Sequence, residues 1–314
     1  MQATTAAERE AALRTRDEQR EHERAEVAAH YEHHPEIFSL VLDSQLTYSC
    51  GIFLTPDEDL ETAQQRKFAY VRQLLDIRPG EQVLDAGCGW GSLLLNLAEH
   101  TQGAIRGITL SSRQREEALR RAAERGIPDR VRIDLCHIED LNLPPESVDA
   151  VLFSGSIVHM HNREQIHEMV GRILRPGGRL LISDCYFPAQ VRGNRNSAAT
   201  DFIFVKALGY CRLLGLCEEL AMIEHAGMDL LHIEELTSSY VLTLGHWIDN
   251  VRRNRAEIER LAPGFSAVLQ GYMTVAKLSF DRRTALEYMI LAGKGRPRVA
   301  GIGGFRGTAA FDEG

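Results

Sequence analysis

The stretch Val83-Leu84-Asp85-Ala86-Gly87-Cys88-Gly89-Trp90-Gly91 decides the fold. Apolar residues run into Asp85, three glycines alternate, and a helical pattern opens at once with Ser92-Leu93-Leu94-Leu95-Asn96-Leu97-Ala98. A strand, a glycine turn and a helix in that order make a nucleotide-binding corner. Gly87 and Gly89 carry no Cβ, so a ligand can lie against bare backbone there. The helix that starts near Gly91 points its free N–H groups at the same spot. An ordinary tight turn is the competing reading, and the rest of the chain argues against it.

Outward from this corner the pattern alternates. Strand-like runs fall at 83–85, 104–110, 131–136, 148–154 and 180–184, with helical patterns at 92–100, 112–125 and 163–174. Such alternation predicts an α/β fold, a doubly wound (Rossmann-like) parallel sheet with helices on both faces. Arg175-Pro176-Gly177-Gly178 stops the last of these helices and turns into the fifth strand. Residues 186–226 read as helical, followed by a strand at 230–235, helices at 245–261 and 264–279, and a strand at 284–291. The expected organisation is a helical arm at 1–40, a covering segment and lead-in helix at 41–75, and an α/β core at 76–190. A helical cap with the sixth strand follows at 191–280, then the last strand at 281–294 and a flexible tail at 295–314. No internal repeat is present.

Composition narrows the function classes. Apolar residues make up 44% of 314, enough for a globular core, and the formal net charge is −8 without a basic cluster, which argues against a nucleic-acid partner. The six cysteines show neither CxxC nor zinc spacing, so no metal site is expected, and they read as reduced thiols of a cytoplasmic protein. No apolar run is long enough for stable membrane insertion. Twelve of the first 29 residues are charged, which is unlike a signal peptide. That charged helix is a solvated or partner-facing arm and the place to expect any oligomer contact.

GxGxG after an acidic strand end resembles motif I of the class I S-adenosylmethionine (SAM) methyltransferases, whereas dinucleotide folds more often show GxGxxG. Three further stretches narrow the resemblance: Gly107-Ile108-Thr109-Leu110-Ser111-Ser112-Arg113-Gln114, Leu46-Thr47-Tyr48-Ser49-Cys50-Gly51, and Tyr240-Val241-Leu242-Thr243-Leu244-Gly245-His246-Trp247. They are similar to the cyclopropane-fatty-acid synthase family, which includes small-molecule C- and N-methyltransferases such as coclaurine N-methyltransferase. The resemblance runs from about residue 30 to 294 and implies SAM as cofactor and a small-molecule acceptor. It implies cofactor contacts from Tyr48 and Ser49 in a segment that closes over SAM; Asp85, Gly87 and Gly89 could supply the bare backbone and polar groups that the methionine end needs, and Ser154 is a further candidate cofactor contact. Thr109, Leu110 and Gln114 would face ribose and methionine, with no carboxylate at the second strand's end. Ile138 and Glu139 would face adenine.

The chain also departs from that family. Cyclopropane synthases hold a bicarbonate with a Cys, a Glu in an FEH-like motif, a His in the fifth strand and a Tyr. Cys50 matches the first, but Val158 stands in place of the Glu and Ser183 in place of the His. This departure shifts the expectation to simple methyl transfer. Val158-His159-Met160 and Ile182-Ser183-Asp184 also resemble the LHHM and IADF stretches of sugar O-methyltransferases in antibiotic pathways. His159 is a candidate base for removing an acceptor proton, with a structural histidine as its alternative. Asp184 is a candidate to orient it or to bind a substrate hydroxyl, with a helix cap as its alternative. Cys50 is either a remnant ligand or a small buried side chain. His161 reads as a surface residue, and His137 and His246 as pocket liners or bland positions.

The expected function is SAM-dependent methylation of a small, partly apolar secondary metabolite at C, N or O. The alternatives are a lipid-modifying cyclopropane synthase, a SAM-binding protein without chemistry, and an NAD enzyme.

Overall fold

In the computed structural model, residues 35–189 and 211–295 are described. The arm at 5–30, the tail from 296 on, and Phe202, Phe204 and Tyr210 of the expected cap lie outside them. After a short helix α1 (Pro35–Ser39) and a loop comes α2 (Leu60–Leu75). Asp59 starts α2, its side chain accepting the Thr62 N–H at 2.7 Å. The core then runs β1 (Gln82–Ala86), α3 (Ser92–His100), β2 (Ala104–Thr109), α4 (Ser112–Glu124), β3 (Val131–Leu135), β4 (Val148–Ser154), α5 (Arg163–Ile173) and β5 (Leu174–Phe187). A short β6 (Leu214–Gly215), α6 (Leu216–His225) and β7 (Met228–Glu235) follow. The chain continues with α7 (Thr237–Arg253), α8 (Arg255–Leu261), α9 (Phe265–Asp281) and β8 (Leu286–Lys294).

The strands form one sheet in the order β3-β2-β1-β4-β5-β8-β7, with β6 beside the end of β5. β1 to β5 pair in parallel, and β8 enters antiparallel between β5 and β7. The doubly wound expectation holds, with this antiparallel insertion as an addition. Strand alternation divides the core in two. Val83, Leu152, Leu181 and Leu291 face one side and pack under α2, α3 and α4. Leu84, Phe153, Ile182 and Ile290 face the other side and pack under α5 and α6. Each such leucine or isoleucine, fully buried, contributes about 1.5–3 kcal/mol.

Several boundaries differ from expectation, and β5 begins at Leu174 rather than 180. β5 runs three residues past Asp184, because Tyr186 and Phe187 pair with β6. The 186–226 stretch therefore is not wholly helical. Helix α7 starts at Thr237 rather than 245, so the Tyr240–Trp247 motif lies inside it. A third apolar cluster joins α1 and the covering loop to α7, α8 and α9 through Phe38, Trp247, Tyr272 and Phe280.

Candidate active site

A cleft opens at the carboxyl ends of β1 and β4, where the strand order reverses. One half is lined by Leu46, Tyr48, Ser49, Asp85, Trp90 and Ser154. The other half is lined by Thr109, Leu110, His137, Ile138, His159 and Met160. Gly87, Gly89, Gln114 and Gly155 belong to both. Two glycines here do different work. Gly87 (φ +91°) turns against Ser156, whose Cβ would lie 2.5 Å from an added Cβ. Gly89 (φ +52°) faces open space, with Gln114 Nε2 nearest at 4.0 Å. The free N–H groups of α3 point into this region, since Gly91 gives no side-chain cap.

Asp85 tests whether these residues fit SAM. It is 2% exposed, and its carboxylate takes no hydrogen bond among the described residues. Burial pushes its pKa up to about 7. An anion left without a partner at the end of a cleft suits the ammonium of a bound amino-acid moiety. The residues present fit the cofactor.

Gln114 sits where the halves meet. Its Oε1 accepts from the Thr109 hydroxyl at 2.7 Å, and its N–H caps back to Ser111 at 3.3 Å. Thr109 thus fixes the amide, leaving Nε2 as the donor toward the cleft. Replacing Gln114 with Ala should weaken SAM by about 1–2 kcal/mol, the usual cost of leaving a polar partner unmatched. Isothermal titration measures this, and an unchanged dissociation constant would assign the ribose hydroxyls to another group.

The covering segment is pinned from both sides. From α2, Gln64 Nε2 donates to the Ser49 carbonyl at 2.9 Å and Lys67 Nζ to Ser49 Oγ at 2.8 Å. From α7, Thr243 Oγ1 accepts the Gly51 N–H at 3.0 Å and Ser239 Oγ the Phe53 N–H at 3.1 Å. Tyr48 packs on Trp247 with ring centroids 5.1 Å apart. The upstream motif and the Tyr240–Trp247 motif are two halves of one clasp.

The three residues named for chemistry are not brought together. His159 lines the cleft beside Ile138 and Leu110, away from Tyr48, Ser49 and Ser154. Asp184 lies behind, fully buried, its carboxylate accepting the N–H groups of Ile157 (3.0 Å), Val158 (3.3 Å) and Cys185 (2.8 Å). It holds the turn that carries His159 rather than capping a helix after itself. Burial raises its pKa to about 6. Cys50 lies below the clasp, 2% exposed and outside the cleft lining, its thiol near the carbonyls of Gly51 (3.1 Å) and Leu236 (3.8 Å). Burial, and then Glu287, push its pKa well up, so it is a thiol and not a thiolate. Glu139 does not line the cleft either. Its carboxylate turns to Asn162 at 3.1 Å, leaving Cys136, Ile138 and Met160 as the apolar wall.

Sequence reasoning missed Lys67 and Glu287. Leu60, Ala63, Gln64, Lys67, Phe68, Val71 and Leu75 form one buried helical stripe, so two polar residues on an apolar face were a readable signal. Val158, in the position expected for a Glu, is 6% exposed within the apolar cluster of Trp90 and Phe187.

Fold and cleft define a class I SAM-dependent methyltransferase. The family model described as mycolic acid cyclopropane synthetase matches residues 18–288, and the chain belongs to this family. A probable fatty acid methyltransferase of Pseudomonas putida is 29% identical over 274 residues, 85% of this chain and 68% of that protein. Methyltransferase GfsG of Streptomyces halstedii is 31% identical over 218 residues, 68% of this chain and 76% of that protein. The cyclopropane synthase MmaA2 of Mycobacterium tuberculosis shares the fold, with a TM-score of 0.80 at 24% identity over 86% of this chain and 98% of that one. The chain is thus a SAM-using enzyme, and the NAD and non-catalytic alternatives fall away. Among the described residues no helix is long and apolar enough to cross a membrane.

Proposed function

We propose that the protein methylates a small, partly apolar metabolite, using neither bicarbonate nor ring closure. One observation carries this reading: the two positions that would complete a bicarbonate site are otherwise engaged. Val158 is packed in an apolar cluster, and Ser183 Oγ donates to Glu287 Oε1 at 3.0 Å. A bicarbonate placed there would lack partners for its oxygens, and its desolvation would go uncompensated. Of the aromatic cluster, Tyr48 lines the cleft and offers an apolar acceptor body a ring, while Phe38, Trp247 and Phe280 are packed in the core behind it.

The cofactor supplies a methyl group already activated by its sulfonium. Asp85 and the Gly89 backbone would hold its amino-acid end, Gln114 its middle, and Ile138 its base. The clasp of Tyr48 to Gly51 excludes water and presses the acceptor into line. A second reading, methylation of a fatty acyl chain, draws on the likeness to the Pseudomonas putida protein.

Turnover should be unchanged when bicarbonate is stripped from the buffer. The product should gain a methyl group and show no cyclopropyl protons by NMR. Mass does not separate the two outcomes, since both add CH2. Ring protons, or strong stimulation by bicarbonate, would return the protein to cyclopropanation.

A further inference from the structure

Five polar side chains run in a buried line across the carboxyl end of the sheet. Lys67 Nζ donates to Ser49 Oγ at 2.8 Å, and Ser49 Oγ meets Ser154 Oγ at 3.3 Å. Ser154 on β4 is the register partner of Ser183 on β5, so both side chains leave the same face. Ser183 Oγ then donates to Glu287 on β8 at 3.0 Å. Cys185, two residues on and on the same face, meets the other carboxylate oxygen at 3.2 Å. Lys67 and Glu287 are 1% and 3% exposed. Only Ser49 and Ser154 reach the cleft, in the half that also holds Tyr48 and Asp85. A buried cation and a buried carboxylate are costly to keep, and an apolar pair would pack there without that cost.

We propose that Glu287 is the terminal proton acceptor of the methyl transfer, reached from the acceptor through the Ser154 hydroxyl in the cleft and then its register partner Ser183, with Lys67 as its counter-charge. The proposal rests on the methyltransferase reading above, for an acceptor that carries an exchangeable proton. As the bond from the acceptor atom to the methyl carbon forms and the methyl–sulfur bond breaks, the acceptor's own X–H bond breaks. Its proton goes to Ser154 Oγ, the Ser154 proton to Ser183 Oγ, and the Ser183 proton to Glu287 Oε1. The sulfonium becomes a neutral thioether and Glu287 a neutral acid, so the buried site keeps its net charge through the step.

The surroundings suit this role. Burial, and then the nearby Asp184 charge, raise the Glu287 pKa to about 8, while Cys185, Ser183 and Lys67 pull it down. Burial lowers the Lys67 ammonium to about 8. Cys50 from the clasp and Tyr240 from α7 also face this carboxylate, and Tyr186 lies behind it; burial keeps each of these in its neutral form. Glu287 is therefore the group of this cluster that exchanges its proton near pH 8, and it acts as a base in its carboxylate form. A bound sulfonium nearby favours the carboxylate form, so the base is made ready by cofactor binding.

Glu287→Gln, which keeps the shape, tests this in two ways. Titrating SAM at pH 8 in two buffers of different ionisation enthalpy counts released protons without any acceptor. The wild type should release a fraction of a proton that the variant does not, with SAM affinity kept within about threefold. Equal proton counts would overturn the proposal. With an acceptor that the wild type methylates, the variant's kcat should fall about 10²–10⁴-fold. Its pH profile should also lose the rising limb near pH 8, since the base must be ionised to act. A loss of only a few fold, or an unchanged limb, would overturn it too. If Glu287→Gln does not fold, Ser183→Ala serves, because it cuts the route to Glu287: kcat should fall about 10²–10⁴-fold with SAM affinity kept within about threefold, and a loss of only a few fold counts against the proposal. A wild type that releases the proton yet methylates no acceptor would count against the acceptor reading, leaving the proton count to decide on Glu287.

Discussion

Gly89→Val should abolish SAM binding and leave the fold standing. A side chain at Gly89 meets nothing of the protein closer than Gln114 Nε2 at 4.0 Å, so its atoms occupy the cleft itself. The expected loss is at least about 100-fold, or about 2.8 kcal/mol, in the dissociation constant. The backbone at φ +52° makes a branched residue strained, at about 1–2 kcal/mol, which a domain with 5–15 kcal/mol of stability tolerates. Gly87→Val should behave otherwise. There an added Cβ lies 2.5 Å from Ser156 Cβ, and Ser156 Oγ is already bonded to the Ala86 carbonyl at 2.6 Å, so the turn must move. Titration calorimetry beside a thermal melt separates the two. Gly89→Val loses affinity with a small change in melting temperature, and Gly87→Val loses both. Normal SAM binding by a folded Gly89→Val variant would mean that the cofactor lies elsewhere.

This contrast shows what the sequence could and could not convey. GxGxG located the corner, but two glycines of one motif look alike until the turn and its neighbour Ser156 are placed. Strand alternation gave the sheet, because a buried parallel strand needs its own apolar run, and each of the five runs became a strand. β8 was read as a strand at 284–291, but its antiparallel direction was not legible, since orientation depends on where α9 ends and not on the strand's own residues. The direction of the Glu139 side chain was not legible, because adjacency to Ile138 says nothing of which way a carboxylate turns once Asn162 stands nearby. Glu287 was the hardest to see. Within Leu286-Glu287-Tyr288-Met289-Ile290 it is a single charge in an apolar strand, and its meaning appears only when β5 brings Ser183 and Cys185 against it.

Glu219→Ala should cost about 3–5 kcal/mol of stability, the usual result of stripping one partner from a buried ion pair. Glu219 on α6 is fully buried between two groups of α5: Arg163 Nη1 at 2.9 Å and His167 Nε2 at 2.7 Å. Removing it leaves the Arg163 guanidinium, 2% exposed, without its counter-charge. The damage should reach the cleft. Arg163 also donates to the Arg212 carbonyl, and the Arg212 N–H donates to the Val158 carbonyl at 2.7 Å, in the turn that presents His159. A free-energy loss of this size should appear as a lower urea midpoint together with weaker SAM binding. Burial raises the Glu219 pKa, but the His167 hydrogen bond and the Arg163 charge outweigh it and hold the carboxyl below its usual value. That depressed pKa contributes stability above the unfolded value near 4.5, and this is lost as pH falls through the folded one. The acid limb of the wild-type stability curve should therefore flatten in Glu219→Ala. Replacing Arg163 with Met and Glu219 with Leu together should recover much of the loss, because no charge is then left buried. If Glu219→Ala unfolds at the wild-type urea concentration, the pair contributes nothing and the α5–α6 contact is held by its apolar residues alone.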